Sequence, residues 1–221
     1  MTDRIQAVTF DVLETLLDIN PISRRLEEVG QPGTVLDPFF MRFQRDAMAL
    51  TLAGENADFT ATARQALRTE TRQSMSEDAM AYVLEGFATV PAYADAFPAL
   101  SRLSDAGVSI GCLTVGDPSN TRTFLAGAGL ERHVDQVITS DAVGVWKPAP
   151  AVYHHTAEAL NCQLDRMAMV AVHAWDCHGA KRAGAASGWC SRLEGEPGDV
   201  FLPPDVRGDD LVEVVEGLLA L

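Results

Sequence analysis

Positive charge is scarce in this chain. Its 221 residues hold 17 Lys and Arg against 31 Asp and Glu, a formal charge of −14, and repulsion from phosphates argues against nucleic acid as a partner. A small anionic substrate stays compatible with this charge only if the few cations converge on one pocket. Lysine is nearly missing: Lys147 and Lys181 are the only two, and the other basic residues are arginines. Cysteine is sparse as well. Cys112, Cys162, Cys177 and Cys190 are widely spaced, with no C-x-x-C and no histidine at zinc-finger spacing, which excludes a zinc framework and fits reduced thiols in the cytoplasm. No window approaches the roughly 18 consecutive apolar residues of a membrane span, so neither export nor insertion is expected. With 47% hydrophobic and 22% charged residues, and 17 Gly and 11 Pro spread along its length, the composition is that of a globular chain, neither collagen-like nor disordered.

Short β-branched and apolar runs recur along the chain: Ile5 to Phe10, Val108 to Thr114, Gln136 to Thr139, Met167 to Val172 and Gly188 to Ser191. They predict five strands. Helical patterns lie between them at Ala94 to Ser104, Ser119 to Ala128 with Gly129 as C-cap, Ala151 to Leu160, and Cys177 to Ala186. Strand alternating with helix implies an α/β fold with a doubly wound parallel sheet. From about Ile19 to Thr89 only helical periodicity is found, at Ser23 to Val29, Pro38 to Leu52, Thr60 to Gln73 and Glu77 to Ala88. The expected organisation is therefore a Rossmann-like core of residues 1–18 and 90–221 and an inserted α-helical cap of residues 19–89. An insertion directly after the first strand stands over the carboxyl edge of the sheet, where open α/β folds bind ligands. The last stretch, Leu193 to Leu221, has eight acids and one base, Arg207, and reads as a solvated acidic surface.

Four segments carry chemistry when taken together. Thr9-Phe10-Asp11-Val12-Leu13-Glu14-Thr15-Leu16-Leu17-Asp18 ends the first strand, and Cys112-Leu113-Thr114-Val115-Gly116 ends the second. Val143-Gly144-Val145-Trp146-Lys147-Pro148 forms a loop, and Val170-Ala171-Val172-His173-Ala174-Trp175-Asp176 follows the fourth strand. A carboxylate at a strand end, Asp11, can attack an electrophilic centre and form an ester. Lys147 offers the positive charge that keeps Asp11 ionised. Asp176 would orient water or hold Lys147, and it would also serve as N-cap of a helix starting near Cys177. Thr114 can donate its hydroxyl to an anion near the helix start at Ser119. Arg42 and Arg45, three apart on a cap helix, share a face.

The order of strand to Asp, strand to Thr, loop Lys-Pro and strand to Asp resembles the haloacid dehalogenase superfamily over nearly the whole chain. It is most similar to the L-2-haloacid dehalogenase (type II) group, through Phe10-Asp11-Val12, Glu14 to Asp18, Lys147-Pro148 with Val152-Tyr153, and Ala174-Trp175-Asp176 with Gly179-Ala180. The resemblance implies a hydrolase in which Asp11 displaces halide from the α-carbon of a small 2-haloacid, Lys147 balances charge, and water held by Asp176 cleaves the ester. It implies a halide-abstracting arginine from the segment of Arg42, with Arg45 second, and no metal or cofactor. A homodimer stays open.

Leu13 stands where superfamily phosphatases carry a second Asp, the general acid that protonates a leaving oxygen. A halide leaves unprotonated, so Leu13 favours carbon–halogen cleavage. Leu13 also replaces the usual aromatic of the dehalogenases, Val115 the Asn of their Ser-Asn-Gly segment, and Ala171 and His173 the Ser and Asn of their last motif. His173 could substitute as a donor or base. The alternatives are a phosphatase-like hydrolase holding Mg²⁺ with Asp11, Asp176 and the Leu13 carbonyl, and a superfamily fold turned to ligand binding or another reaction.

Overall fold

In the computed structural model, which describes residues 5–55, 58–114 and 118–221, the sheet is built on β1 (Ala7–Phe10), whose four side chains are all buried. A run with no exposed position fits only a strand covered on both faces, as parallel strands are. β1 lies between β2 (Ser109–Thr114) and β4 (Met167–Ala171), in register Phe10 to Cys112 and Phe10 to Val170. With β3 (Gln136–Thr139), β5 (Ala186–Cys190) and β6 (Val206–Gly208), the order is β3-β2-β1-β4-β5-β6, and every pairing is parallel. From β1 the chain steps outward through β2 to β3, then crosses back to β4 on the other side. That reversal opens a crevice at the carboxyl ends of the central strands.

Helices α5 (Ala96–Asp105), α6 (Pro118–Gly127), α7 (Pro150–Ala159), α8 (Ala174–Ala183) and α9 (Leu211–Leu219) cover the sheet. Val8 and Phe10 pack with Leu100, Val214 and Leu218 on one face, while Ala7 packs with Val152, Tyr153 and Trp189 on the other. Between Ile19 and Thr89 the described residues form α1 (Ile22–Glu28), α2 (Leu36–Leu52), α3 (Phe59–Glu70), α4 (Glu77–Glu85) and short 3₁₀ turns.

Three expectations need correction. The sheet has six strands among the described residues, because the acidic tail contributes β6 and α9. In α9, Leu211, Val214, Val215 and Leu218 are buried, and the Asp210 carboxylate caps the helix by accepting from the Glu213 N–H at 2.9 Å. Charge at the exposed positions hid a 3.6-residue apolar stripe. The helix expected over Cys177 to Ala186 begins three residues earlier, so Asp176 lies inside its first turn and His173 is the N-cap residue. Ala186 instead opens β5.

Gly188 of β5 shows how closely α9 is seated. A methyl group there would run into Val214 Cγ1 of that helix. Gly188→Ala is expected to cost about 1–3 kcal/mol, read as a lowered urea midpoint with an unchanged slope; an unchanged midpoint would contradict this packing.

Candidate active site

Asp11 leaves the sheet directly after Phe10, its N–H donating to the Val170 carbonyl at 2.9 Å. Because β1 is central, the carboxylate emerges in the middle of the carboxyl edge. β2 ends at Thr114 on the same edge, β4 leads through Val172 into His173 and α8, and the loop before α7 carries Lys147. That loop comes close because residue 179 on α8 is glycine: a Cβ there would stand 2.5 Å from both Pro148 Cβ and Tyr153 Oη.

Lys147 Nζ donates to Asp11 Oδ1 at 2.7 Å, to Asp176 Oδ2 at 2.7 Å and to the Leu113 carbonyl at 3.1 Å. All three ammonium donors are used. Asp176 is wholly buried, and its Oδ1 accepts from the Tyr153 hydroxyl at 2.6 Å. Asp11 Oδ2 accepts from Thr15 Oγ1 at 2.8 Å, and that hydroxyl accepts from the Val172 N–H at 3.2 Å. Arg192, stacked over Tyr93 and paired with Asp95, holds the Thr15 carbonyl at 3.1 Å and so fixes this turn.

Burial alone would raise the Asp11 carboxyl, but the charge on Lys147 and the His173 ring outweigh it and hold Asp11 well below the usual carboxylate range. Burial would lower Lys147; Asp11 and Asp176 keep it above its ordinary value instead. Asp176 goes the opposite way to Asp11, since burial, helped by the nearby Asp11 charge, raises it against the pull of Lys147.

His173 stands between two carboxylates. Its Nε2 is 2.8 Å from Glu14 Oε2 and its Nδ1 is 3.3 Å from Asp11 Oδ2. Burial would depress the imidazole, yet the close Asp11 carboxylate and the hydrogen-bonded Glu14 raise it from 6.5 to about 10. The ring is a cation at neutral pH. It stabilises the fold fully below about pH 6.5, and that contribution is lost as pH rises through about 10. A histidine NMR titration of the resting protein should find His173 protonated through pH 8; a midpoint near 6.5 would contradict the pairing.

A cavity lies over these groups, lined by Asp11, Leu13, Phe40, Phe43, Gln44, Met48, Thr114, Trp146, Lys147 and Trp175. The arginine expectation fails here. Arg42 pairs with Glu70 of α3, Arg45 with its neighbour Asp46, and neither lines the cavity. The reason is helical phase: α2 buries Leu36, Phe39, Phe40, Phe43 and Ala47, and at 100° per residue Gln44 borders that stripe on one flank, while position 42 falls on the other flank, toward Glu70 of α3, and position 45 lies opposite the stripe. Gln44 reaches the site, with its amide Nε2 3.3 Å from His173 Nε2. Val115 lies outside the described residues.

Asp11, Lys147, Asp176, Thr114, Leu13 and His173 are thus brought together. Glu14, Thr15, Gln44 and Tyr153 join them without having been singled out for the site. Glu14, Thr15 and Tyr153 sit inside the quoted motifs, and Gln44 was available from the apolar period of its helix.

A family profile described as haloacid dehalogenase-like hydrolase matches residues 5–184. The chain is 27% identical to (S)-2-haloacid dehalogenase 4A of Burkholderia cepacia, over 97% of this chain and 95% of that protein. It is 28% identical to (S)-2-haloacid dehalogenase 1 of Pseudomonas sp. (strain CBS-3), over 99% of each. The fold matches that of the L-2-haloacid dehalogenase from Xanthobacter autotrophicus with chloropropionic acid covalently bound, at a TM-score of 0.88 and 23% identity, covering 96% of this chain and 97% of that one.

Proposed function

The chain belongs to the haloacid dehalogenase-like hydrolases, and we propose that it cleaves the carbon–halogen bond of a small 2-haloacid through an ester on Asp11. The observation that carries this reading is Asp11, paired with the Lys147 ammonium at 2.7 Å, under a largely apolar cavity whose Leu13 can protonate nothing. An Asp11 oxygen attacks the α-carbon, the carbon–halogen bond breaks, and halide departs. Water then adds to the ester carbonyl, the acyl–oxygen bond breaks, and the 2-hydroxyacid leaves with one original Asp11 oxygen. Lys147 compensates the charge of the free carboxylate and of the oxyanion formed on ester attack. Asp176, with both oxygens engaged by Lys147 and Tyr153, holds Lys147 in place and is poorly disposed to grip water as well. Residues 19–89 act as the lid, since α2 contributes Phe40, Phe43, Gln44 and Met48 to the cavity. The four unpaired cysteines fit a cytoplasmic enzyme.

The residues fit Mg²⁺ poorly. The Asp11 and Asp176 oxygens that would ligate it are taken by Lys147, Thr15 and Tyr153, and Leu13 offers only a carbonyl. Halide release from a panel of 2-haloacids in excess EDTA, beside phosphate release from phosphomonoesters with Mg²⁺, tests the reading. The expected result is halide without phosphate. Phosphate alone, dependent on Mg²⁺, would replace this function with the phosphatase one.

A further inference from the structure

Glu14 has a positive backbone φ of 69°, a conformation that costs a residue with a Cβ of order 1 kcal/mol and is common only for glycine, asparagine and aspartate. The turn after Asp11 keeps it nonetheless, and the result is a carboxylate aimed inward at His173, both side chains largely covered at 16% and 5% exposure. With Nε2 turned to Glu14, the other ring nitrogen faces the nucleophile. Nδ1 is buried, lies 3.3 Å from Asp11 Oδ2, and makes no hydrogen bond in proper geometry. An acid that fixes Nε2 also fixes the tautomer: once the ring is neutral, its proton stays on Nε2 and the Nδ1 lone pair points at the Asp11 carboxyl.

Resting on the ester mechanism above, we propose that His173 is the base of the second half-reaction, taking a proton from the water that attacks the Asp11 ester, with Glu14 as the residue that positions it. In the resting enzyme the ring is cationic and serves as a partner of the Asp11 carboxylate. Formation of the ester removes that negative charge. The groups left facing the ring are Glu14, the Gln44 amide from α2, the Trp175 ring from α8 and, across Asp11, Lys147. A buried imidazolium that has lost one of its two anions gives up its proton more readily, so the base is freed by the step that creates its substrate. The proton lost with halide goes to solvent. Water then passes one proton to Nδ1 as its oxygen bonds to the ester carbonyl carbon. The acyl–oxygen bond breaks, His173 returns that proton to the departing alkoxide, and the second water proton passes to His173 as Asp11 regains its charge, which restores the resting ion pair with one proton released per halide. Glu14 and Thr15 sit at the turn, and Asp176 is committed to Lys147 and Tyr153, so His173 alone among the described residues offers a nitrogen beside Asp11 that can act as a base.

The test uses whichever 2-haloacid the wild type turns over fastest. His173→Asn should release about one halide per protein at the wild-type rate and then turn over at least about 100-fold more slowly, with an adduct on Asp11 in the acid-quenched protein by mass spectrometry. Glu14→Gln should keep the initial burst but shift the acid limb of ester hydrolysis to lower pH, because loss of an anion makes the imidazolium easier to deprotonate. It also carries the test if His173→Asn does not fold. Steady turnover unchanged in His173→Asn, or halide release slowed as much as turnover with no adduct, overturns the base. An unmoved pH profile in Glu14→Gln overturns its positioning role. Wild type that releases no halide from any 2-haloacid removes the proposed function and this step with it.

Discussion

Asp11→Asn is expected to lower turnover by a factor on the order of 10⁴ or more, as loss of a nucleophile does in enzymes whose catalytic groups act as a unit. The amide has nearly the shape of the carboxylate: its one oxygen can accept from Lys147 Nζ and its NH2 can donate to Thr15 Oγ1, groups that now stand 2.7 and 2.8 Å from the two carboxylate oxygens. The fold should therefore survive, and circular dichroism should match wild type. The wild-type control is a single turnover in ¹⁸O water, which should leave label in the Asp11 carboxyl and none in the first product released, because the product oxygen comes from Asp11. Label entering product directly, or an active Asp11→Asn, would sink the ester mechanism.

Lys147→Met should damage activity and stability together. One ammonium serves both buried carboxylates at 2.7 Å each, and its removal leaves Asp176 without a counter-ion and Asp11 with only the His173 ring, where burial already pushes each carboxyl upward. Breaking such a pair from one side costs about 3–5 kcal/mol. The sign of the pH dependence follows. With Lys147 present, Asp11 is held low and its stabilising share is lost only as pH falls below the carboxylate range. In the variant the carboxyls are raised, so the deficit is largest at neutral pH and shrinks on acidification as one of them takes up a proton. Urea unfolding at pH 7 and pH 5 should show the gap to wild type narrowing at the lower pH; a gap that widens would mean Lys147 is not what holds these groups ionised.

The central strands and the Asp11, Lys147 and Asp176 cluster were legible because both are written locally. β1 belongs to a short run rich in β-branched and apolar residues that ends in an acid, and a nearly lysine-free chain makes Lys147 conspicuous. β6, with three residues and Arg207 in the middle, is too short for any period to register. Helix α9 was legible in principle, but its acids drew attention from Leu211, Val214, Val215 and Leu218. Arg42 and Arg45 show a chemical preference overriding geometry: charge suggested them, while the buried stripe of α2 pointed to Gln44 between them. Glu14 was hidden differently. Its inward aim depends on a positive φ, and nothing in a sequence marks a glutamate for that conformation.

The scarcity of lysine gives this enzyme a built-in clock for the opening of its site. Lys147 is 2% exposed and Lys181 is 23% exposed, held at the surface by Asp205. A small amine-acylating reagent meets Lys181 in the closed molecule but reaches Lys147 only when the helices above part and its two carboxylates let go. With no other side-chain amine in the chain to confuse the record, the ratio of the two labelling rates, followed by peptide mass, measures how often that opening occurs. A tightly bound inhibitor that holds the crevice shut should slow the first rate and leave the second alone.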